Sequence, residues 1–367
     1  MNRLTKIKSI GTAVPKYKHQ QNEILHFMSR IYAFNEKERR VLRYLYHQSG
    51  ITSRYSVLND YSHKPNEWTF YPPTENLEPF PSLEQRMKKF NQEAAALSVR
   101  AIRNCLQKPS DLAKITHLIT VTCTGLSAPG LDLQLIELLD MPRNIFRTSV
   151  NFMGCYAAIH ALKLADSICK ADTAARVLIV CTELCTLHFQ QEPTTDNITS
   201  SLLFGDGSAA VLVTGDEDRS TGFPLQGFYG EVMPKGKQDM SWELSSTGFT
   251  MTLSGYVPAL IEEDFEKLVN RALTKHGISR DNITHWSVHP GGKKILEAIE
   301  KSLSLPKEKL DASYRILSDY GNMSSPTILF VLKEILCTLD KRKKQTVFGA
   351  AFGPGLTMET FLVGTGS

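Results

Sequence analysis

The sequence predicts a mixed α/β protein built from two similar halves, and three observations support this fold class. Apolar, β-branched segments typical of buried strands alternate with stretches of helical periodicity. A short pattern in the first half recurs in the second at a nearly constant distance along the chain. The 367 residues are 42% hydrophobic and 22% charged, which excludes a largely disordered, collagenous or coiled-coil chain.

Four segments have the apolar, β-branched character of buried strands: residues 115–122, 175–181, 208–213 and 346–352. One helix is predicted to begin after Ser82, because Ser82 and Gln85 form a capping box. Its apolar face continues at helical spacing through Phe90, Ala94 and Leu97. Together these elements favour alternating strands and helices in one layered protein.

The recurring pattern predicts a duplicated unit. Thr116-His117 and Thr284-His285 begin similar strand-like segments 168 residues apart. The turn Met153-Gly-Cys155 and the turn Tyr320-Gly-Asn322 each lead into an apolar helix pattern, 167 residues apart. We place the boundary in the polar, glycine-containing stretch 215–230. The predicted domains are therefore residues 1–220 and 221–367, with equivalent loops facing one another.

Charge and cysteine usage limit the function classes. The net charge of +4 and a pI of about 8.5 suit anionic small ligands but are too weak to argue for nucleic acid. No apolar run approaches the roughly 18 residues of a membrane helix, and the first residues lack a signal-peptide core. The seven cysteines are scattered without metal spacing, which argues against disulfides or a zinc site. We expect a cytoplasmic enzyme without membrane insertion.

Three residues at matched positions of the two halves predict a site. Cys155 lies at a helix start, where the macrodipole is expected to lower the thiol pKa. His289 follows a strand, and Asn322 occupies the turn equivalent to that of Cys155. Each alone is more often a buried cysteine, a core histidine or a turn residue. Jointly they favour one shared cavity.

The chemistry of such a trio has two readings. A papain-like thiol hydrolase uses the same residue types, with His as the base and Asn as its orienting partner. The other reading is carbon–carbon bond formation, in which the thiolate carries an acyl group while His and Asn stabilise an enolate. Glycine-rich turns at residues 204–208 and 351–360 weakly support the second reading. Phe204 could then exclude water from the enolate.

Four motifs resemble the type III polyketide synthases, the chalcone synthase superfamily: Leu203-Phe-Gly-Asp-Gly-Ser-Ala-Ala, Trp286-Ser-Val-His-Pro-Gly-Gly, Tyr320-Gly-Asn-Met-Ser-Ser and Phe352-Gly-Pro-Gly-Leu-Thr-Met-Glu-Thr. The resemblance spans residues 10–362. It implies a thiolase fold with two duplicated α/β halves in a five-layered αβαβα arrangement, working as a homodimer. It also implies Cys155 as the acyl-carrying nucleophile, His289 and Asn322 as decarboxylation and oxyanion residues, and Phe204 as gatekeeper. No metal or organic cofactor is expected.

The same matching gives the pocket positions: Cys123, Cys185, His188, Met251 and Ser324, together with Gly353 and Pro354 of the last glycine-rich turn. The stretch beginning at Cys123 resembles bacterial members. Met251 replaces a second gatekeeper phenylalanine of the plant enzymes, and its flexible thioether predicts a wider passage. His188 is expected to shorten one branch of the pocket unless it turns away.

Coenzyme A requires cations for its phosphates, and the basic residues of the family fall near Arg39, Arg40, Arg43 and Arg54. The lysines of the family are missing from the matched positions, so an acyl carrier protein is an alternative acyl donor.

The resulting prediction is a bacterial-type type III polyketide synthase that extends an acyl-CoA starter on Cys155 with malonyl-CoA, giving pyrones, resorcinols or related phenolics. An aliphatic starter is slightly favoured. The alternatives are a single-step condensing enzyme of the 3-ketoacyl synthase III type and a catalytically silent protein of the thiolase fold that binds an acyl thioester.

Overall fold

A computed structural model describes residues 4–32, 34–106, 108–218 and 220–365. Residues 1–3 of the first predicted domain and residues 366–367 of the second lie outside the described residues, as does residue 219 of the predicted boundary stretch. The strands are β1 (Lys6–Ala13), β2 (Tyr17–Gln20), β3 (Ser53–Ser56), β4 (His117–Thr122), β5 (Phe146–Asn151), β6 (Arg176–Leu184), β7 (Asp206–Thr214), β8 (Phe223–Val232), β9 (Met240–Ser245), β10 (Gly248–Leu253), β11 (His285–Val288), β12 (Thr346–Gly353) and β13 (Thr357–Gly364).

The helices are α1 (Gln21–Ile31), α2 (Glu36–Gln48), α3 (Leu83–Cys105), α4 (Leu131–Leu139), α5 (Ala157–Ala171), α6 (Thr195–Leu203), α7 (Val257–His276), α8 (Lys293–Leu303), α9 (Asp311–Tyr320) and α10 (Thr327–Thr338). The predicted capping box before α3 is confirmed. The Ser82 hydroxyl accepts from the Gln85 N–H at 3.3 Å, and the Gln85 side-chain oxygen accepts from the Ser82 N–H at 2.8 Å. The four predicted strands correspond to β4, β6, β7 and β12 and are confirmed, with ends shifted by up to three residues.

The main sheet runs in the order β11-β12-β13-β8-β1-β7-β6-β4-β5. Strand β4 is parallel to both β5 and β6, and β11 is parallel to β12, whereas the other neighbours are antiparallel. Only the pairs Lys6↔Pro224 and Ile7↔Phe223 join β1 to β8. This short junction divides the strands into two sheets, one from each half of the chain.

Alternation along the strands builds layers, because successive side chains of a strand point to opposite faces of a sheet. In β4, Leu118 packs into one core, whereas Ile119 and Val121 pack into another, which also contains the apolar residues of α5 and α10. Strands β12 and β13 divide their side chains between the same two cores. Helices α5 and α10 therefore lie between the two sheets, while α3 packs on the outside of the first sheet and α7 on the outside of the second.

The two Thr-His pairs that reveal the repeat make equivalent hydrogen bonds. The Thr116 hydroxyl accepts from the Arg176 N–H at 2.9 Å and donates to the carbonyl of the same residue at 3.2 Å. The Thr284 hydroxyl accepts from the Thr346 N–H at 3.1 Å and donates to the Thr346 carbonyl at 2.9 Å. Each threonine thus joins the start of one parallel strand to its neighbour. The motif recurs because each half needs the same connection.

Among the described residues, no helix combines the length and the apolarity that crossing a bilayer requires.

Candidate active site

The Cys155 turn lies where the two halves meet. Cys155 belongs to a short 3₁₀ turn, Gly154–Tyr156, between β5 and α5. Gly154 has a φ of +75°, and its N–H donates to the Cys123 sulfur at 3.1 Å. A side chain at Gly154 would overlap the Pro354 ring, and a Cβ on Gly353 would lie 3.3 Å from the Cys155 nitrogen. The predicted positions Gly353 and Pro354 therefore pack directly against the turn that carries Cys155, the nucleophile turn.

Asn322 is held by the segment that carries Phe204. The Asn322 N–H donates to the Leu203 carbonyl, and the Gly205 N–H donates to the Asn322 carbonyl, both at 2.9 Å. Phe204 and Asn322 consequently form a parallel bridge between the two halves. This backbone pairing places the two predicted functional residues next to each other.

His289 is almost fully buried just after β11. Its N–H donates to the Ala350 carbonyl at 2.8 Å, which aligns the end of β11 with β12. Within the described parts of the chain, neither ring nitrogen of His289 has a hydrogen-bond partner. Burial lowers the pKa of His289 to about 3, so the ring is neutral. Leaving a buried polar group unpaired costs about 1–3 kcal/mol, and a ligand that hydrogen-bonds the ring could offset this cost.

A series of contacts brings the three predicted catalytic residues together. The Cys155 sulfur lies 3.6 Å from the Ser324 hydroxyl, and the Ser324 N–H donates to the Asn322 side-chain oxygen at 2.8 Å. The Asn322 amide then donates to the Gly291 carbonyl at 3.3 Å, two residues beyond His289. The thiol of Cys155 and the amide of Asn322 are thus linked at the junction of the halves, and the amide contacts the segment that follows His289.

The expected acidity of the Cys155 thiol is wrong. Burial raises the pKa of Cys155 to about 11, and the charge of Glu183 also raises it. Hydrogen bonds from Ser324 and Asn322 lower this pKa but do not compensate for the lost solvation. The resting side chain is therefore a thiol, because desolvation disfavours the thiolate more than these hydrogen bonds stabilise it.

A cleft of about 590 Å³, including its part open to solvent, contains several predicted pocket residues. Cys185, His188, Phe204 and Met251 line it. Cys123 instead lies beneath the nucleophile turn, where it is 3% exposed.

His188 lines the cleft but turns its polar atoms to the backbone. Its Nε2 donates to the Thr124 carbonyl at 2.8 Å, and its Nδ1 accepts from the Phe249 N–H at 3.1 Å. The ring also stacks on Phe249, with centroids 4.3 Å apart. Burial lowers the pKa of His188 to about 3. The imidazole thus ties the loop after β4 to the β9–β10 hairpin.

The four candidate CoA cations occupy different environments. Arg39 and Arg43 line a groove between α1 and α2. Arg40 is exposed and pairs with Glu36 at 3.8 Å. Arg54 requires a correction, because it is only 3% exposed and donates to the Phe204 carbonyl at 2.6 Å. A guanidinium fixed inside the protein is not positioned to meet a phosphate at the surface.

The predicted motifs agree with known protein families. The family model for the N-terminal domain of chalcone and stilbene synthases matches residues 2–217, and the model for their C-terminal domain matches residues 225–365. The chain belongs to the chalcone and stilbene synthase family.

Solved structures of type III polyketide synthases match this family member along its whole length. PKS-I from the brown alga Ectocarpus siliculosus is 28% identical, with a TM-score of 0.91, and the match covers 99% of this chain and 98% of that one. The C-terminal type III domain of Steely1 from Dictyostelium is also 28% identical, with a TM-score of 0.89 and 99% of both chains covered. For 1,3,6,8-tetrahydroxynaphthalene synthase from Streptomyces coelicolor the identity is 25%, the TM-score 0.85 and the coverage 99% of each chain.

These matches confirm the type III polyketide synthase family, the thiolase fold and the acyltransferase class of enzyme. They do not favour the fatty-acid-type condensing enzyme or the silent binding protein. The domain boundary at residue 220 and the individual residue roles stay predictions, as does the bacterial type.

Glu183 supports this synthase's site but was not predicted from the sequence. Glu183 is fully buried in β6, and one carboxylate oxygen accepts from the Cys123 N–H and the Thr124 hydroxyl, both at 2.8 Å. The other oxygen accepts from the Ser325 hydroxyl at 2.7 Å. Glu183 thereby connects the loop after β4 to the Asn322 segment. The signal that could have revealed it was a charged residue two positions beyond the predicted apolar strand 175–181.

Proposed function

We propose that this synthase loads an acyl starter from acyl-CoA onto Cys155 and extends it by repeated decarboxylative condensation with malonyl-CoA. The observation that carries this proposal is the buried His289 ring, whose two nitrogens have no hydrogen-bond partner among the described residues. The Asn322 amide contacts the segment that follows His289, and Ser324 links Asn322 to the Cys155 thiol. A neutral imidazole and an amide can both donate hydrogen bonds to a developing oxyanion without bringing a negative charge to it.

Loading begins with a neutral thiol and a neutral imidazole. The Cys155 sulfur attacks the carbonyl carbon of the starter thioester while His289 takes the thiol proton. The carbon–sulfur bond to CoA then breaks, and His289 returns the proton to the departing CoA sulfur. The low pKa of His289 keeps its imidazole unprotonated beforehand, as this transfer requires.

Extension uses the same donors on the second substrate. His289 and Asn322 hydrogen-bond the thioester carbonyl of malonyl-CoA, the bond to the carboxylate breaks, and CO2 leaves an enolate. The enolate carbon attacks the Cys155 thioester, a carbon–carbon bond forms and the Cys155 thiolate departs. Phe204 excludes water, which would otherwise protonate the enolate.

The cleft supports an aliphatic starter. Apolar and aromatic side chains from Ile24, Met28, Phe189 and Phe249 contribute to its wall. Met251 adds a flexible thioether where a plant enzyme has phenylalanine, and such a side chain adapts to chains of different length. Pyrones, resorcinols or related phenolics are the products that we propose.

The groove between α1 and α2 is the proposed site for the CoA phosphates. Arg30, Arg39 and Arg43 line it together with His26. Within the described ranges, none of these three arginines forms a salt bridge, so their charges are available to an anion. Helix α1 contributes residues to both the groove and the cleft. A ligand that lies across α1 would therefore occupy the groove and the cleft at once.

The edge of β5 supports a homodimer. Strand β5 ends the main sheet, and Phe146 on it is 68% exposed. Leu138, on the neighbouring α4, is 60% exposed. An unpaired edge beside exposed apolar side chains is suited to pairing with a second copy. No metal or organic cofactor enters the proposed steps, and both this absence and a cytoplasmic location stay predictions.

The test is to incubate the protein with radiolabelled malonyl-CoA and acyl-CoA starters from acetyl to palmitoyl, and to identify the products by mass spectrometry. Products with two or more added acetate units support the proposal and identify the starter. A single extension, or activity that depends on an acyl carrier protein, would contradict it. Cys155→Ala should bind malonyl-CoA but load no starter. His289→Ala should lose decarboxylation while the protein still folds, which thermal unfolding checks.

A further inference from the structure

Arg54 lies beneath the backbone of the gatekeeper. From β3, its Nη1 donates to the Phe204 carbonyl at 2.6 Å, and its Nε donates to the Gln21 side-chain oxygen at 3.0 Å. Gln21 in turn donates its amide to the Leu202 carbonyl at 2.9 Å. Two buried side chains therefore hold the end of α6 and the residue that follows it.

The same arginine also touches the turn that carries Asn322. A Cβ on Gly321 would lie 2.7 Å from the Arg54 Cδ and 2.7 Å from the Leu203 carbonyl oxygen. Gly321 has a φ of +68°, which a side chain would also disfavour. The methylene stem of Arg54 thus packs against the residue before Asn322, while its guanidinium fixes Phe204.

Strand β3 is itself anchored to the end of α9, just before this turn. The Thr52 N–H donates to the Ser318 carbonyl at 2.8 Å, and the Ser53 hydroxyl donates to the Asp319 carbonyl at 3.0 Å. Tyr55 stacks on Tyr320, with ring centroids 5.7 Å apart. The strand that carries Arg54 is therefore joined to the helix end that precedes the Asn322 turn.

Within the described chain, the Arg54 guanidinium makes no salt bridge. Its hydrogen bond to the Phe204 carbonyl is charge-assisted, and such bonds are stronger than those between neutral groups. Lysine could not replace it fully, because an ammonium lacks the planar fork that donates to Phe204 and Gln21 at once.

We propose that Arg54 is a positioning residue that couples decarboxylation to condensation, by holding Phe204 and Asn322 in one fixed arrangement. This inference rests on the proposed function. When Arg54 is lost, the backbone bonds to Leu203 and Gly205 still hold Asn322, and malonyl-CoA still loses CO2. The Phe204 carbonyl loses its charge-assisted bond, and the Phe204 ring no longer seals the enolate. The enolate carbon then takes a proton from water, and acetyl-CoA leaves in place of an extended chain.

The experiment measures the ratio of acetyl-CoA released to acetate units incorporated into polyketide, using radiolabelled malonyl-CoA and the best starter. For Arg54→Met this ratio should rise about tenfold, as the loss of a charged hydrogen bond allows. Arg54→Lys should give an intermediate ratio. Arg176→Met is the control, because it also removes the hydrogen bond of a guanidinium, but the partner of Arg176, the first residue of β6, is Asp218.

An unchanged ratio in a folded Arg54→Met protein overturns the proposal, and so does an equal loss of both products. If Arg54→Met does not fold, Gln21→Leu decides in the same way, because it removes the partner of the Arg54 Nε. A raised ratio supports the proposal and an unchanged ratio overturns it. Failure of the proposed function looks different, since the unmodified protein itself would then extend no starter.

Discussion

Replacing Ser324 by alanine tests how the structure sets the acidity of the Cys155 thiol. The Ser324 hydroxyl lies 3.6 Å from the sulfur and lowers the pKa of Cys155, which burial holds at about 11. A hydrogen bond to a charged group contributes about 1.5–3 kcal/mol, and we take the lower end for this long contact. Because about 1.4 kcal/mol corresponds to one pH unit, Ser324→Ala should raise the thiol pKa by about one.

The thiolate fraction gives the measurable quantity. With a pKa of about 11, only about one thiol in a thousand is ionised at pH 8. The rate of alkylation by iodoacetamide should therefore rise about tenfold for each pH unit between about pH 7 and pH 10, without reaching a plateau. At each pH in this range, the alkylation rate of Cys155 in Ser324→Ala should be about tenfold lower than in the unmodified protein.

Mass spectrometry of the peptide that contains Cys155 separates its alkylation from that of the exposed Cys337. Ser167→Ala is the matched control, because Ser167 lies on α5 and its hydroxyl donates to the Lys163 carbonyl at 3.0 Å instead of contacting the Cys155 sulfur. An alkylation rate that reaches a plateau, with an apparent pKa below the ordinary cysteine value of 9, would refute the argument that burial raises the pKa of Cys155. It would instead support the effect of the helix start. Equal rates for the two serine variants would refute the contact with Ser324.

Gly154→Ala should lower the free energy of unfolding by about 1–3 kcal/mol, because the turn needs a positive φ and the new methyl overlaps Pro354. Thermal unfolding measures this change. Gly255→Ala is the control, because a methyl group there meets nothing within 4 Å. Met251→Phe should narrow the cleft and shift products to shorter chains, and an unchanged product mass distribution would contradict this. Because burial lowers the pKa of His289 from 6.5 to about 3, its contribution to stability is complete above pH 6.5 and is lost as the pH falls. Between pH 6.5 and about pH 5, the free energy of unfolding of the unmodified protein should therefore fall by about 2 kcal/mol more than that of His289→Phe, and urea unfolding measures both.

Local patterns in the sequence were sufficient for much of the fold. The capping box at Ser82 depends on residues three apart, and β4, β6, β7 and β12 follow from short apolar runs. The Thr-His repeat predicted equivalent strands, because the same hydroxyl joins each strand to its neighbour. From that repeat came the hypothesis that Cys155 and Asn322 occupy facing turns, and the structure brings them together through Ser324.

What the sequence could not determine depends on solvent exposure and on contacts between distant segments. The helix start suggested an acidic Cys155, but its pKa is set by the water that packing removes, which no local pattern records. Arg54 was assigned to CoA by its charge, yet the strand β3 that carries it docks beneath Phe204 and Gly321, 150 and 267 residues away. A cationic side chain has the same sequence signature at the surface and in the interior. Only the tertiary structure decides whether its charge meets solvent, a substrate phosphate or a backbone carbonyl.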